Sequence, residues 1–252
     1  MFKFSLVLRC SLWLTPFFAA SVWAETVSVA VASNFIAPMQ QIAAQFAQDT
    51  GHKAELSFGA TGKFYAQINH GAPFDILLSA DESTPQKLAT QGQADAASRF
   101  TYAIGQLALW SQDEHMIDGS SQVLTANNWN HIAVANPKLA PYGAAALQTL
   151  NKLGLTNSVT PKMVQGENIG QTYQFVASGN APLGFVALSQ IMQNGRITSG
   201  SAWLVPSCMH APIRQDAIML RKAQTNPAAQ AFMDYLKSEK ARTIITSYGY
   251  GL

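Results

Sequence analysis

Four short polar turns place hydrogen-bond donors where a predicted helix begins. Ser33-Asn34 follows the apolar run Val27–Ala32, and Gly59-Ala60-Thr61-Gly62 follows a second run, Ala54–Phe58. Ala140-Pro141-Tyr142-Gly143 opens the helical pattern that closes at Gly154, and Gly166-Glu167-Asn168-Ile169-Gly170 opens the one that closes at Ser178. The first N–H groups of a helix have no partner inside it, and the helix dipole adds partial positive charge there. Such turns, with hydroxyls beside them, bind anions. Two fall in each half of the chain, so the pattern predicts an anion clamped between two units. Singly, Ser33, Asn34 and Thr61 also fit as helix caps, and the glycines as turn residues.

Other chemistries lack their parts. Gly59-Ala60-Thr61-Gly62-Lys63 looks like a phosphate loop, but Ser57 stands where that motif needs Gly and Phe64 where it needs Ser or Thr. There is no Gly-x-Ser-x-Gly elbow. The five His, at 52, 70, 115, 131 and 210, have no metal-ligand spacing and are expected at the surface or in caps. Asp75 and Asp81 flank a predicted strand without pairing as acid and base. An exported hydrolase using Ser33 or Thr61 as nucleophile would lack a positioned base. Tyr248 and Tyr250 do not form an adjacent iron-binding tyrosine pair.

The start of the chain reads as a secretory leader. Lys3 and Arg9 are basic, Ser11–Ala20 is largely apolar but short, and Val22-Trp23-Ala24 fits a small-x-small cleavage site after Ala24. Removing residues 1–24 takes two bases from a chain with 16 Lys+Arg and 14 Asp+Glu, leaving a formal charge of zero. That argues against nucleic-acid binding, which needs a basic face. Of the two cysteines only Cys208 follows the leader, so no internal disulfide or Cys-based metal site is expected, and burial is its expected state.

The elements that must hold the turns alternate. Strands at Val27–Ala32, Ala54–Phe58 and Phe74–Ser79 are separated by helices at Ile36–Thr50, with Asn34 as its cap, and from Gly62 to Asn69; another helix spans Ser83–Gln91. This is the α/β pattern of a parallel sheet. Tyr102–Trp110 reads as one long extended run with Gly105 inside it, crossing to a second unit. There, strands at Ile132–Ala135, Lys162–Val164 and Leu183–Leu188 alternate with helices from Tyr142 and Asn168. Trp203–Pro206 is the expected return crossing. Arg214–Leu220 reads as a strand, and helices over Pro227–Glu239 and Lys240–Ser247 follow. Open sheets of this kind bind ligands beyond the carboxyl ends of their strands.

Longer matches join these turns. The segments AVAS (30–33), SFGATGKFYAQI (57–68), GAPFDILLSAD (71–81), NPKLAPYGAAALQTLNKLG (from 136), APLGFV (181–186), PIRQDAIML (212–220) and the final YGYG resemble the periplasmic molybdate-binding proteins of ABC uptake systems. Those are type II periplasmic binding proteins, and the resemblance runs over nearly all of the chain after the leader. It implies a two-lobed α/β fold, each lobe a mostly parallel sheet flanked by helices, with a ligand cleft between. Lobe one would hold residues 25–103 and 208–252, lobe two 104–207. It implies a molybdate or tungstate oxyanion held by hydroxyls and main-chain N–H groups without counter-charge; the alternative ligand for such a site is sulfate, phosphate or an organic anion. Carried over by position, the contacts fall on Ser33, Asn34, Thr61, Tyr142 and Ile169. Another branch has Ala at the Tyr142 position and a ligand tyrosine where this chain has Ala187, which leaves that role to Tyr142. Thr61 stands where the family often has Ser. The implied partners are the oxyanion and a membrane permease. The implied location is the periplasm and the implied state a monomer, with no enzymatic activity and no cofactor beyond the molybdenum of the ligand.

Overall fold

The computed structural model describes residues 24–252, so the leader assigned above lies, but for Ala24, outside the described residues. The elements run β1 (Thr26–Ala32), α1 (Ile36–Thr50), β2 (Lys53–Gly59), α2 (Thr61–Asn69), β3 (Ile76–Leu78), α3 (Ser83–Thr90) and β4 (Phe100–Gly105). Then come β5 (Leu107–Ser111), α4 (Gln122–Ala126), β6 (Ile132–Ala135), α5 (Pro141–Lys152), α6 (Thr156–Val159), β7 (Met163–Gly166), α7 (Ile169–Ala177) and β8 (Leu183–Ala187). A small hairpin, β9 (Met192–Gln193) and β10 (Arg196–Ile197), precedes β11 (Ser201–Leu204), β12 (Ile213–Met219), α8 (Pro227–Leu236) and α9 (Glu239–Ser247).

Two five-stranded sheets result, ordered β2-β1-β3-β12-β4 and β11-β5-β8-β6-β7. In the first, β1 is parallel to β2 and β3, while β12 is antiparallel to β3 and β4. In the second, β6 is parallel to β7 and β8, while β5 is antiparallel to β8 and β11. Each sheet thus has one reversed strand, and in each it is the first strand the chain lays down on arriving from the other sheet. The mostly parallel α/β expectation holds.

Side-chain alternation explains why helices cover both faces. Val27, Val29 and Val31 of β1 pack on one face with Met39, Ile42 and Phe46 of α1 and Phe232 of α8. Ala30, between them, points to the other face, toward Phe64 and Ile68 of α2 and Leu88 of α3. In the second sheet Leu107 and Leu109 of β5 face Ala145, Ala146 and Leu150 of α5, and Ala108 and Trp110 face Val176 of α7.

Several expected boundaries move. The run Tyr102–Trp110 is two strands, not one: β4 closes the first sheet at Gly105, Gln106 alone intervenes, and β5 opens the second. Trp203 and Leu204 lie in β11, paired with Leu109 and Ala108, so the return crossing comes after them. Asn34 caps nothing: Ser33–Phe35 is a 3-10 turn leading into α1, with no side-chain cap. Asn168 does cap α7, accepting from the Gln171 N–H. Cys208 is exposed rather than buried, in a short turn before β12. His52 and His210 are buried rather than at the surface; His52 Nδ1 accepts from the Glu25 N–H at 3.1 Å and its ring stacks on Phe46.

Candidate functional site

Each of the four turns follows the carboxyl end of a strand. β1 leads into the 3-10 turn Ser33–Phe35, β2 into α2 at Thr61, β6 into α5 at Pro141, and β7 into α7 at Ile169. The parallel pairs β1–β2 and β6–β7 put both turns of each sheet at one end, and the two ends meet. Ser33, Asn34, Thr61, Tyr142 and Ile169 all line one small cavity there. None of the five is more than 5% exposed. Its volume is ≈ 10 Å³, room for about one small group and far below the roughly 300–1,000 Å³ of pockets for organic ligands. Among the described residues no charged side chain lines it; Ala32, Ala60, Ala80 and Ala140 supply much of the rest of the wall. Larger open grooves flank the cavity on either side.

Three hydroxyls reach this cavity, and each receives an N–H from behind. Ser33 Oγ accepts from the Gly170 N–H at 3.2 Å. Thr61 Oγ1 accepts from the Ala80 N–H at 3.0 Å. The Tyr142 hydroxyl accepts from Gln215 Nε2 at 3.0 Å. A hydroxyl has one proton to give, and accepting an N–H turns that proton away from the donor. None of the three therefore gives its proton to that N–H, which leaves the protons of Ser33 and Thr61 for the cavity; the Tyr142 proton has both the cavity and the neighbouring Tyr250 hydroxyl within reach. Ile169 N, the first of α7, has no partner inside the helix and adds a main-chain donor with the helix dipole behind it.

Asn34 enters differently from the cap expected of it. Its Nδ2 donates to Gln215 Oε1 at 2.7 Å and to the Tyr250 hydroxyl at 2.9 Å. Its main-chain oxygen accepts from Ser189 Oγ at 2.8 Å and Tyr250 at 2.9 Å. Both amide protons are spent on this network, Oδ1 is buried without a partner, and the N–H at the start of the helical turn is the donor Asn34 has left.

Behind the cavity sits a polar network absent from the sequence-based assignment: Gln215, Tyr102, Tyr250 and Ser189. The Tyr102 hydroxyl lies 3.0 Å from Gln215 Oε1 and 3.1 Å from Ser79 O, with one proton between the two acceptors. Burial pushes the Tyr142 hydroxyl well above the ordinary tyrosine value, with the Tyr250 and Tyr102 hydroxyls beside it adding to the effect. Tyr102 and Tyr250 are raised too, burial again first among the causes. Tyr142 thus keeps its proton, and stays a donor, throughout the neutral range. The one sequence signal for the network is the adjacent pair Gln215-Asp216 inside the apolar strand β12. Both are buried, and the register with β4 shifts between them, a bulge of the kind that re-aims a side chain. Asp216 turns to Arg99 Nη1 at 2.8 Å and Thr101 Oγ1 at 2.7 Å, away from the cavity.

Two glycines let Tyr142 arrive. A Cβ on Gly143 would stand 2.1 Å from Ala135 O, so α5 docks this closely on β6 only without one. A Cβ on Gly105 would stand 2.1 Å from the Tyr142 hydroxyl and 2.6 Å from Gln215 Nε2. The two sheets are drawn together around the cavity by hydrogen bonds of Gly62 N to Leu139 O (3.0 Å), Gly170 N to Ser33 Oγ and Ser189 Oγ to Asn34 O. On the rim, Lys63 pairs with Glu167 across the same boundary, both side chains well exposed. The carboxylate of Glu167 is thereby held outside the cavity.

Known proteins resemble the chain over most of its length. The family model described as bacterial extracellular solute-binding protein matches residues 27–251. The molybdate-binding protein ModA of Azotobacter vinelandii is 56% identical over 234 residues, 93% of each chain. That of Rhodobacter capsulatus is 46% identical over 227 residues, 90% of this chain and 88% of its own. The structure of the A. vinelandii periplasmic molybdate-binding protein superposes with a TM-score of 0.87 at 44% identity, covering 90% of this chain and 99% of the other. The chain belongs to the bacterial extracellular solute-binding protein family, on the branch that holds these molybdate-binding proteins.

Proposed function

We propose that the protein is the periplasmic binding component of a molybdate uptake system. It captures molybdate or tungstate in the cavity and delivers the oxyanion to an ABC permease. The observation that carries this reading is the set of three buried hydroxyls, each accepting an N–H, in a cavity without charged side chains. Molybdate at neutral pH has two negative charges and no proton, so it only accepts hydrogen bonds. Phosphate near neutrality keeps a proton and needs an acceptor such as a carboxylate; none lines the cavity among the described residues. The names of the 56% and 46% identical relatives support the choice of oxyanion.

Ser33, Thr61 and Tyr142 give hydroxyl donors in this reading, and Asn34 and Ile169 give main-chain donors. Hydrogen bonds to a charged acceptor contribute about 1.5–3 kcal/mol each. Five of them support tight binding after the costs of desolvation and association. The lobes divide at Gln106 rather than after residue 103, because Ile104 and Gly105 pair with β12 in the first sheet; closure about the crossings near Gln106 and Val205–Ser207 buries the ion. The protein acts as a monomer without enzymatic turnover, and the molybdenum is cargo rather than a cofactor. Calorimetry with molybdate, tungstate, sulfate and phosphate tests the assignment. Tight binding of the first two and weak or absent binding of the others is expected. No heat with molybdate or tungstate would refute it.

A further inference from the structure

The three cavity hydroxyls are not oriented by equivalent means. Behind Ser33 and Thr61 stand main-chain N–H groups, of Gly170 and Ala80. Behind Tyr142 stands a side chain, Gln215. We propose that Gln215 is a positioning residue for the oxyanion: by donating its Nε2–H to the Tyr142 hydroxyl, it turns that hydroxyl's proton into the cavity. The proposal rests on the oxyanion reading of the site.

Gln215 is fully buried and held from both ends. Its Oε1 receives Asn34 Nδ2 at 2.7 Å, and the Tyr102 hydroxyl lies 3.0 Å from it. The Asn34 amide on Oε1 leaves the Nε2 end facing Tyr142, so the Gln215 amide cannot rotate alone without placing donor against donor. Asn34 is itself held, its Nδ2 also donating to Tyr250. The chain of bonds therefore runs from Tyr250 through Asn34 and Gln215 to Tyr142, joining three separate elements of the first sheet's half to a helix of the second. Gly105 makes room for it, since a side chain there would strike both Tyr142 and Gln215. If the whole network were turned over, Gln215 would instead take the Tyr142 proton for itself, and its removal would leave binding unchanged or stronger.

The test is a double-mutant cycle read as molybdate Kd by calorimetry, with thermal unfolding to confirm folding. The proteins are wild type, Gln215→Leu, Tyr142→Phe and the double variant. Each single change is expected to weaken binding about 10- to 100-fold, one charge-assisted hydrogen bond. If Gln215 acts through the Tyr142 hydroxyl, the double variant falls within about threefold of the weaker single one, because coupled residues do not add. Wild-type or tighter affinity in Gln215→Leu overturns the proposal, as do losses that multiply. Should Gln215→Leu not fold, Gln215→Asn keeps the amide but is a methylene short of the hydroxyl; the same loss is expected, and wild-type affinity overturns the proposal. A readout without ligand separates this from the oxyanion reading. The NMR signal of the Gln215 side-chain amide should move in Tyr142→Phe whether or not molybdate binds, and an unmoved signal overturns the pairing. A wild-type protein that takes up no molybdate refutes the oxyanion reading alone.

Discussion

Gly105→Ala is the smallest change that should empty the site of one donor. The added methyl carbon would lie 2.1 Å from the Tyr142 hydroxyl oxygen, 2.6 Å from Gln215 Nε2 and 2.9 Å from Tyr142 Cζ. Ordinary contact begins at 3.4 Å, so the oxygen must retreat by about 1.3 Å. A hydrogen bond lengthened by that much is lost, and both the Gln215 bond and the bond to an anion depend on where that oxygen sits. Losing one hydrogen bond to a charged acceptor costs about 1.5–3 kcal/mol, or roughly 10- to 150-fold in Kd. Overpacking a buried site costs folding stability of about 1–3 kcal/mol as well. Calorimetry with molybdate and urea unfolding measure the two effects separately. Tyr142→Phe supplies the control. Without the oxygen the worst contact is gone, so Gly105→Ala should cost less stability in that background than in wild type, and little further affinity. A Gly105→Ala protein with wild-type molybdate affinity would refute the placement of Tyr142 as a ligand held by this packing.

Two further outcomes follow from the electrostatics. Lys63→Ala should change molybdate Kd by less than about fivefold, because an exposed ion pair contributes about 0–1 kcal/mol; its side chain and that of Glu167 are 43% and 63% exposed. A larger loss on calorimetry would put Lys63 against the anion rather than on the rim. Alkaline pH should unfold the protein through its buried tyrosines. An unfolded tyrosine ionises near pH 10, whereas Tyr102, Tyr142 and Tyr250 ionise higher in the fold. Above that point the folded state binds more protons, so the stability is complete below about pH 10 and falls as pH rises. The slope is about 1.4 kcal/mol per pH unit for each tyrosine. Urea midpoints on either side of pH 10 measure it, and an unaltered slope in Tyr250→Phe would contradict the assignment of Tyr250 to this group.

Local order in the sequence was enough for the frame of this protein. The apolar run Val27–Ala32 is buried on both faces, and period-two and period-3.6 patterns report such burial directly. The four donor turns were legible for the same reason: a strand end, a small polar residue and a helix start are neighbours along the chain. Ser33, Asn34, Thr61, Tyr142 and Ile169 could be named from those turns and from the family resemblance they carry. Their meeting at one cavity could not, because it depends on how two sheets face each other.

What tertiary structure decided is everything that acts across distance. Asn34 had the look of a cap, yet its amide binds Gln215 and Tyr250, 181 and 216 residues away. Gln215 lies inside a strand that reads as ordinary core, yet it meets Tyr142 of the other half, with a shift of register between it and Asp216. Gly105 reads as one position inside a single extended run; it is the end of one sheet and the space into which a tyrosine from the other half fits. Hydrogen-bond direction leaves no periodic trace in a sequence. It is set by which donor happens to stand behind each hydroxyl, and here those donors come from Gly170, Ala80 and Gln215. The sequence determined that polar turns would exist; the fold decided that all three hydroxyls would meet at the same small space.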